Sequence, residues 1–334
     1  MAVNSGVFDI LKRFIKAVFK TTVEIFLEAL KLSPNAQGYI AGSITELLLK
    51  KKLEEEHGWE VKRIREKWEG QKHPNHHGDF YFRIRPNEPW YVIECKGVKS
   101  NAEKWHGLYN YNSLKKFLTV HSDKVPWVVG STSTEEQVER WIVDNLPKFQ
   151  GEYSDSLYSY EEVQRYLHNP PKRQTKKYED MRKLEGLKRD EVDQLIVERL
   201  KYVMEKVMLL DTHFVAGVSG ASERTQATPR VDEFNVVAVD IFLRWTEHKF
   251  LFANPKLLEP SGTNPNHLQQ NYVMGFVFPG ENGQSKLHTT EEWYEDLNDV
   301  YKTLNRQDCV SESDMQEDIR QEITYDDLVL DDEG

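Results

Sequence analysis

The stretch WYVIECKG, residues 90–97, decides how this chain is interpreted. It opens with apolar and aromatic residues, as a buried strand does, and it ends in Glu94, Cys95, Lys96 and Gly97. Side chains two positions apart on a strand lie on the same face, so Glu94 and Lys96 are predicted to lie side by side. Such a pair is either a surface salt bridge or the edge of an active site.

Two further acidic residues precede this strand. Asp79 stands near the start of the alternating segment GDFYFRIR (residues 78–85), and Glu46 lies in a helical segment before it. If the two strands pair as a meander, Asp79 and Glu94 meet at one end of the sheet. Paired carboxylates there can hold a divalent cation through oxygen ligands, and a nearby lysine can orient or deprotonate a water.

The order of these residues resembles the pattern of the PD-(D/E)XK nuclease superfamily, and the chain looks most like a type II restriction endonuclease. That pattern is a helix with a glutamate, a strand, a strand with an aspartate, and a strand that ends in (D/E)-x-Lys. The matching positions here are Glu46, the strand near Val61, Asp79, and Glu94-Cys95-Lys96. The resemblance covers about residues 38–132, and Gly78 stands where the family has proline.

The resemblance implies a role for each matching residue. Asp79, Glu94 and the backbone carbonyl of Cys95 would bind Mg²⁺, for which Mn²⁺ can substitute. Lys96 would position the attacking water. Glu46 would support a second metal ion or its water shell.

The distribution of charge bears on nucleic-acid binding. The 334 residues include 44 basic and 55 acidic ones, and a net charge of −11 alone argues against a DNA-binding protein. Residues 311–334, however, contain ten acidic residues and one basic residue, so the rest of the chain carries only −2. Residues 172–189 contain eight basic and three acidic residues. A nearly neutral body with basic segments can bind DNA, although a solvated helix face also explains such a segment.

The element pattern predicts the fold class and the domains. Up to residue 146 the order α-α-β-β-β-α-β-α favours an α/β fold, with a mixed central sheet flanked by helices. The resemblance makes this a restriction-endonuclease-like core, followed by an additional α+β half for DNA recognition. We expect the nuclease core with its N-terminal helices over residues 1–170, the recognition region over 171–310, and a mobile acidic tail over 311–334.

Four individual segments carry predictions that the structure tests. Residues 6–31 have the apolar spacing of one long amphipathic helix, and residues 189–210 are predicted to be another helix. Residues 125–132 are predicted to be a buried strand, and residues 234–245 are predicted to be another strand.

Two polar loops in the second half carry side chains of the kind that contact DNA. They can donate hydrogen bonds to phosphates and base edges, although polar loops are often ordinary surface. The candidate DNA contacts are Ser222, Arg224, Thr225, Gln226 and Arg230 in the first loop, and Asn266, His267, Gln269 and Gln270 in the second.

Several other kinds of site and location are disfavoured. His73, His76 and His77 beside Asp79 raise the option of a zinc site, but adjacent histidines rarely point the same way. The side chain of Cys95 is predicted to face the buried side of the strand, which disfavours a nucleophilic role. No phosphate-binding glycine-rich motif is present, so no nucleotide cofactor is expected. Two cysteines, no long apolar run and no secretory signal predict a cytoplasmic protein without membrane association.

The functional expectation is a type II restriction endonuclease, which hydrolyses double-stranded DNA at a short specific sequence with Mg²⁺. Such an enzyme is expected to be a homodimer, with the Phe-rich N-terminal helix as one candidate contact. One alternative is a modification-dependent or structure-specific (repair or resolvase-type) nuclease, with Trp245, Phe250, Phe252 and Tyr272 as candidates for an aromatic cage. The other is a non-catalytic DNA-binding module in which Glu94 and Lys96 form a salt bridge.

Overall fold

The structure is a computed structural model, and it places most of the chain. The residues it describes are 5–65, 76–98, 107–121, 125, 127–130, 133–212, 214, 229–262, 264–280 and 283–318. These residues form a mixed α/β protein, as the sequence predicted at that coarse level. The chain divides into two compact units, which are unit 1 (Met1–Gly97 and Arg306–Gly334) and unit 2 (Val98–Asn305).

In the described part of unit 1, two short 3-10 helices lie at Arg306–Asp308 and Glu312–Asp314, and the α-helices and β-strands precede residue 98. They are α1 (Ser5–Phe19), α2 (Val23–Leu32), α3 (Pro34–Lys51), a π-helical turn (Lys52–Glu56), β1 (Glu60–Arg63), β2 (Phe80–Arg83) and β3 (Tyr91–Gly97). The strands pair antiparallel in the order β1-β2-β3, so the predicted meander is confirmed. Helix α3 packs against β3, and Leu49 of α3 and Leu53 of the π-helical turn are fully buried.

The N-terminal segment is two helices instead of the predicted long one. Helix α1 ends at Phe19, where Lys20 has a φ of 53°, a left-handed conformation that stops a helix. The side chain of Thr22 then accepts a hydrogen bond from Ile25 N and begins α2. The apolar spacing runs through this break, which is why the periodicity alone concealed it.

The start of the predicted acidic tail is part of unit 1. Val310 N donates to Trp90 O (2.8 Å), and Gln316 N donates to the Tyr81 hydroxyl (2.9 Å). Asp318 N donates to Arg63 O (2.8 Å). Backbone N–H groups of residues 310–318 therefore anchor this segment on unit 1, contrary to a mobile tail that begins at 311. The remainder of the tail lies outside the described residues.

Unit 2 contains the remaining helices and strands. They are α4 (Tyr111–Val120), α5 (Thr134–Asn145), α6 (Tyr160–His168), α7 (Lys176–Arg182), α8 (Arg189–Met204), β4 (Met208–Asp211), β5 (Val236–Asp240), α9 (Phe242–Trp245), β6 (Phe250–Ala253), β7 (Pro260–Ser261), β8 (Asn264–Leu268), β9 (Val273–Phe278), β10 (Lys286–Thr289) and α10 (Leu297–Tyr301). Its strand pairs β10-β9-β4, β5-β6 and β7-β8 are antiparallel.

The core of unit 2 explains why the units do not divide near residue 170. Leu114 of α4 and Trp141 of α5 belong to one buried cluster with Val203 of α8 and Phe276 of β9. Burial of this apolar surface ties the segment after residue 98 to the second half of the chain. The sequence pattern showed a polar linker at 167–177, but it did not show which helices share a core.

The three segment predictions that fall in unit 2 all need correction. The described residues of 125–132 form a bend and not a strand, although Val125 and Trp127 are buried. The helix predicted over 189–210 ends at Met204 and gives way to β4. The strand predicted over 234–245 ends at Asp240, and the short helix α9 follows. In all three segments, burial produced an apolar pattern that does not distinguish strand from helix or bend.

Across the described ranges, no helix is both long enough and apolar enough to span a membrane.

Candidate active site

Asp79 stands at the point where β2 and β3 stop pairing. Phe80 pairs with Ile93, and Asp79 N donates to Ile93 O (3.0 Å), so Asp79 lies opposite Glu94. The Asp79 carboxylate accepts a hydrogen bond from Cys95 N at 2.7 Å through Oδ2. The antiparallel register therefore brings together the two carboxylates that the sequence predicted would meet.

Glu94 and Lys96 form an ion pair on β3. The side chain of Glu94 is 14% exposed and that of Lys96 is 41% exposed, so the pair lies at the border between core and solvent. Cys95, between them, is buried and faces the other side of the strand, as predicted. The Cys95 side chain is accordingly a core group, and its backbone is the part that reaches the site.

Glu46 approaches the same site from helix α3. It forms an ion pair with Arg63 of β1, with 2.5 Å between Oε2 and Nη2. Its carboxylate is also close enough to Asp79 to act on the pKa of that group. The four residues Asp79, Glu94, Lys96 and Glu46 thus come from three elements of unit 1 and form one cluster.

The surroundings of Asp79 disfavour its ionised form. Burial, together with the neighbouring Glu94 and Glu46 carboxylates, raises the pKa of Asp79 to about 8. The hydrogen bond from Cys95 N and the Lys96 ammonium act in the opposite direction but do not cancel this effect. Adding a negative charge at Asp79 is therefore costly unless a cation is present.

Lys96 keeps its charge in this environment. Burial acts to lower the pKa of Lys96, but the adjacent Glu94 carboxylate, with a smaller contribution from Asp79, leaves that pKa above its ordinary value. A charged ammonium donates hydrogen bonds and offsets negative charge, and it does not accept a proton. The structure thus favours the positioning role for Lys96 over the deprotonating role.

The donor set suits a hard divalent cation such as Mg²⁺, which prefers oxygen ligands. Burial and, after it, the neighbouring Glu94 and Glu46 carboxylates raise the pKa of Asp79, and a cation would offset the charge of these carboxylates. Within the described ranges, however, no three His, Cys, Asp or Glu side chains are arranged as a metal-binding group. The expected ligand set has only two such side chains, those of Asp79 and Glu94. Its third ligand would be the backbone carbonyl of Cys95.

Gly78 has a structural reason to replace the proline of the resembling pattern. Its φ is +151°, which proline cannot adopt. A Cβ built on Gly78 would lie 2.4 Å from Val92 Cγ1 and 3.2 Å from Ile93 O. The close approach of residue 78 to β3 therefore requires glycine, and this approach sets the position of Asp79.

The histidine cluster has a structural role in its described part. His76 Nδ1 lies 3.0 Å from the Tyr81 hydroxyl, which itself accepts a hydrogen bond from Gln316 N. Burial lowers the pKa of His76, which favours the neutral ring as the acceptor. His73 lies outside the described residues. The contacts of His76 support its placement in a hydrogen-bond chain and give no support to a zinc site.

The candidate DNA contacts are only partly placed. Ser222, Arg224, Thr225 and Gln226 lie outside the described residues. Arg230 pairs with His267 through an isolated β-bridge, so the two predicted loops meet in unit 2. The guanidinium of Arg230 is held by Asp232 through two contacts of 2.8 Å. Asn266 and Gln270 are exposed, and Gln269 Nε2 donates to Glu259 O (3.2 Å).

Two buried aspartates of unit 2 were missed by the sequence reasoning. Asp211 ends β4 after the apolar run VMLL, and Asp240 ends β5 after VVAV. Both repeat the signal that singled out Glu94, an apolar run that stops at a carboxylate. Asp240 is bonded to His248 Nδ1 (2.6 Å) and Phe242 N (3.0 Å). Asp211 Oδ1 is buried and has no hydrogen-bond partner among the residues that the structure describes.

The aromatic residues proposed for a cage have different positions. Phe250 and Phe252 are buried in β6, as part of the core, and Trp245 lies on α9. Tyr272 lines a cavity together with Asp211.

Comparisons with known proteins give no assignment. No family model matches the chain, and no curated protein and no solved structure matches it either. The functional reading therefore depends on the chemistry of the site itself.

Proposed function

We propose that the protein is a Mg²⁺-dependent endonuclease that hydrolyses phosphodiester bonds of double-stranded DNA. The observation that carries this proposal is the Asp79 carboxylate, bonded to Cys95 N and adjacent to the Glu94–Lys96 pair at the end of two paired strands. An ordinary surface salt bridge needs no further carboxylate, whereas this one has Asp79 opposite it and Glu46 nearby. The order of these residues also resembles that of the PD-(D/E)XK nucleases.

Each residue has a definite task in this proposal. Asp79, Glu94 and the Cys95 carbonyl would hold Mg²⁺, which would polarise the scissile phosphate and lower the pKa of a bound water. Cys95 N orients Asp79 through its 2.7 Å hydrogen bond. The Lys96 ammonium would orient the water and offset the charge that develops on the phosphate. Glu46, held by Arg63, would orient the water shell of the cation.

Site-specific cutting by a homodimer is the finer form of the proposal. The N-terminal helices expose large apolar side chains, including Ile25 (58%) and Leu32 (75%) on α2. Apolar groups exposed in this way are typical of interaction surfaces. Light scattering should give a dimer mass for the wild-type protein and a monomer mass for an Ile25→Glu, Leu32→Glu double variant. Val197→Glu, at an exposed position of α8, is the matched control.

Cleavage of DNA tests the proposal directly. The purified protein is incubated with unmodified plasmid DNA and with phage DNA in Mg²⁺, with EDTA as a control. Lys96→Ala removes the ammonium of the site, and Lys52→Ala removes an ion-paired lysine on the surface of the same unit. We expect discrete fragments from the wild-type protein and Lys52→Ala, and none from Lys96→Ala or in EDTA.

The other outcomes separate the alternatives. A smear would favour a structure-specific or non-specific nuclease. Cutting only of methylated or branched DNA would favour a modification-dependent or a resolvase-type enzyme. If all these substrates stay intact, the nuclease proposal fails, and a DNA-binding module with a Glu94–Lys96 salt bridge becomes the better description.

A further inference from the structure

The connection between α6 and α7 of unit 2 concentrates positive charge that the proposed cleavage chemistry does not use. Residues 163–178 (VQRYLHNPPKRQTKKY) contain five basic side chains, and no acidic residue lies between Glu162 and Glu179. We call residues 163–178 the basic turn. All five of its basic side chains are exposed, and they are Arg165, Lys172, Arg173, Lys176 and Lys177.

The basic turn has a packed base and defined ends. Helices α6 and α7 pack together, and they bury Val163 and Met181 in one apolar cluster. Pro170 and Pro171 restrict the backbone of the connection. At the start of α7, the Oγ1 of Thr175 accepts a hydrogen bond from Tyr178 N (3.3 Å). A segment that is already ordered loses less conformational entropy when it binds a partner.

Most of the charge of the basic turn is not neutralised by neighbouring side chains. Lys176 Nζ lies 2.8 Å from Asp180 Oδ1 and 3.2 Å from Asp155 Oδ1. Lys183 Nζ lies 2.6 Å from Asp155 Oδ2, so these two carboxylates already have cationic partners. Within the part of the chain that the structure describes, no ion pair involves the other four basic side chains, Arg165, Lys172, Arg173 and Lys177.

Tyrosine rings hold one of these free cations in place. Lys177 Nζ lies over the ring of Tyr158, 5.3 Å from its centroid, and over the ring of Tyr166, 5.4 Å from its centroid. The rings of Tyr166 and Tyr178 are 6.1 Å apart. Contacts with aromatic rings position an ammonium without cancelling its charge. Tyrosine hydroxyls also donate hydrogen bonds to phosphate oxygens. The basic turn therefore combines free cations with the other side chains that contact phosphates.

The composition of the basic turn fits a nucleic acid better than a lipid surface. Helices that bind anionic membranes insert large apolar side chains beside their basic ones. No large apolar side chain of residues 163–178 is exposed. In α1, by contrast, Phe8 is 44% exposed and lies beneath Lys12. Cations spread along a turn suit an extended polyanion, and duplex DNA carries one negative charge per about 1.7 Å of its axis.

We propose that the basic turn binds the phosphate backbone of duplex DNA, independently of base sequence, and holds unit 2 on the substrate. The inference rests on the proposed function for the choice of polyanion, since a DNA nuclease must hold a duplex. Lysine and arginine contacts with phosphates supply the affinity that depends on salt and position a protein on DNA, but they do not read its bases.

Binding of DNA in EDTA tests the inference without any cleavage. Fluorescence anisotropy of a labelled duplex of about 30 base pairs gives the affinity of the full chain between about 50 and 200 mM KCl. The test variant combines Arg165→Gln, Lys172→Gln and Arg173→Gln, which remove three free cations but keep polar side chains. The matched control combines Arg140→Gln, Lys201→Gln and Lys206→Gln. These three residues are exposed in unit 2, and none has an ion pair with a residue that the structure describes.

The two triple variants have the same net charge but different expected results. The test variant should bind DNA at least ten-fold more weakly than the wild type, and equally so for two duplexes of unrelated sequence. Its slope of log affinity against log salt concentration should become shallower by about 2.7, because each lost phosphate contact changes the slope by ~0.9. The control should bind within about three-fold of the wild type. Melting temperatures check that both variants are folded.

Chemical protection of the wild-type protein gives a measurement that needs no variant. Acetylation of lysines, followed by mass spectrometry, compares the protein with and without the duplex. Lys172 and Lys177 should react several-fold more slowly when DNA is bound. Lys201 and Lys206 should react at the same rate in both samples.

Four results would overturn the inference. They are unchanged binding by the folded test variant, an equal loss in the control, full reactivity of Lys172 and Lys177 on DNA, and no duplex bound at ~100 μM protein, roughly the weakest non-specific affinity for DNA. Vesicles of phosphatidylglycerol and phosphatidylcholine test the lipid surface. If the test variant lost binding to them and kept binding to DNA, the partner would be a membrane and the inference would fail.

The outcomes also separate this inference from the nuclease proposal. A protein that cuts DNA, and whose test variant binds DNA as the wild type does, loses this inference alone. A protein that binds DNA through the basic turn without cutting any substrate loses the nuclease proposal alone.

Discussion

Burial raises the pKa of both Asp79 of unit 1 and Asp211 of unit 2 far above the ordinary range, but their neighbours differ. Burial and two neighbouring carboxylates raise the pKa of Asp79, and its Oδ2 is satisfied by Cys95 N. Burial alone raises the pKa of Asp211, whose Oδ1 has no partner among the described residues.

The difference lies in the surroundings of each carboxyl. At Asp79, neighbouring carboxylates add to the effect of burial, and a cation would offset their charge. At Asp211, burial acts without such neighbours. A raised pKa alone therefore does not define a metal site, whereas the grouped carboxylates of unit 1 support the one that we propose.

The largest expected effect is on cleavage. Asp79→Asn should lower the cleavage rate at least ~10³-fold, about 4 kcal/mol in the barrier, because an amide is a poor metal ligand. The amide oxygen can still accept from Cys95 N, so DNA binding and the fold should persist. Single-turnover cleavage and filter binding measure the two effects. Asp193→Asn, an exposed position on α8, is the control, and a nearly wild-type rate for Asp79→Asn would remove Asp79 from the site.

The second effect is on the backbone that places Asp79. Gly78→Ala should lower the free energy of unfolding by about 1–3 kcal/mol, because Ala disfavours a φ of +151° and its Cβ meets Val92. Gly97→Ala is the matched control, since a Cβ there meets nothing within 4 Å. Urea denaturation compares the two variants. Equal stability of both would show that the approach of residue 78 to β3 is not restrictive.

The third effect is the dependence of stability on pH. In the unfolded chain the Asp79 carboxyl loses its proton near pH 4, but in the folded protein it keeps the proton until about pH 8. The folded state holds more protons between these values, so the free energy of unfolding falls as the pH rises through this window. Asp79→Asn should remove this fall and be more stable than the wild type by about 1–3 kcal/mol at pH 8, after allowance for solvent screening.

Asp211→Asn tests the same linkage in unit 2. The free energy of unfolding that Asp211→Asn gains over the wild type should reach its full value near pH 7, because the pKa of Asp211 is about 7. Denaturation at pH 5 and at pH 8.5 measures the difference in stability from the wild type for Asp79→Asn and for Asp211→Asn. A gain that is the same at the two pH values would contradict the raised pKa of the group concerned.

The smallest effect separates the two carboxyls most sharply. Mg²⁺ at ten times its dissociation constant should stabilise the metal-free wild-type protein by about 1.4 kcal/mol, a rise of a few degrees in melting temperature. Asp79→Asn should lose this rise, and Asp211→Asn should retain it. Thermal scans with and without Mg²⁺ measure this rise in melting temperature. If Asp211→Asn also lost the rise, the effect of Mg²⁺ would not be specific to the site at Asp79.

The cluster of unit 1 was predictable because it depends on short-range rules. Alternation of side chains puts Glu94 and Lys96 on one face, and a meander of neighbouring strands brings Asp79 opposite Glu94. The ion pair of Glu46 with Arg63 was not predictable, because it depends on the rotation of α3 over the sheet. The role of Gly78 was also hidden, because only the spacing between residue 78 and β3 shows it.

The cavity of unit 2 was not predictable in the same way. Its lining comes from residues 117 to 293, which are far apart in the sequence. The apolar run before Asp211 was assigned to the end of a helix, because burial removes the periodicity that separates strands from helices. The break at Lys20 was missed because the apolar spacing continues past it.

The sequence by itself determined the mixed α/β class, the strands β1 to β3 and the meeting of Asp79 with Glu94. These features follow from local periodicity and from the pairing of neighbouring strands. Only the tertiary structure decided which helices share a core, that residues 311–318 anchor on unit 1, and that Asp211 is buried and lines a cavity together with aromatic residues. These features depend on contacts between distant segments, and no local pattern of residues encodes the partner that a buried surface will find.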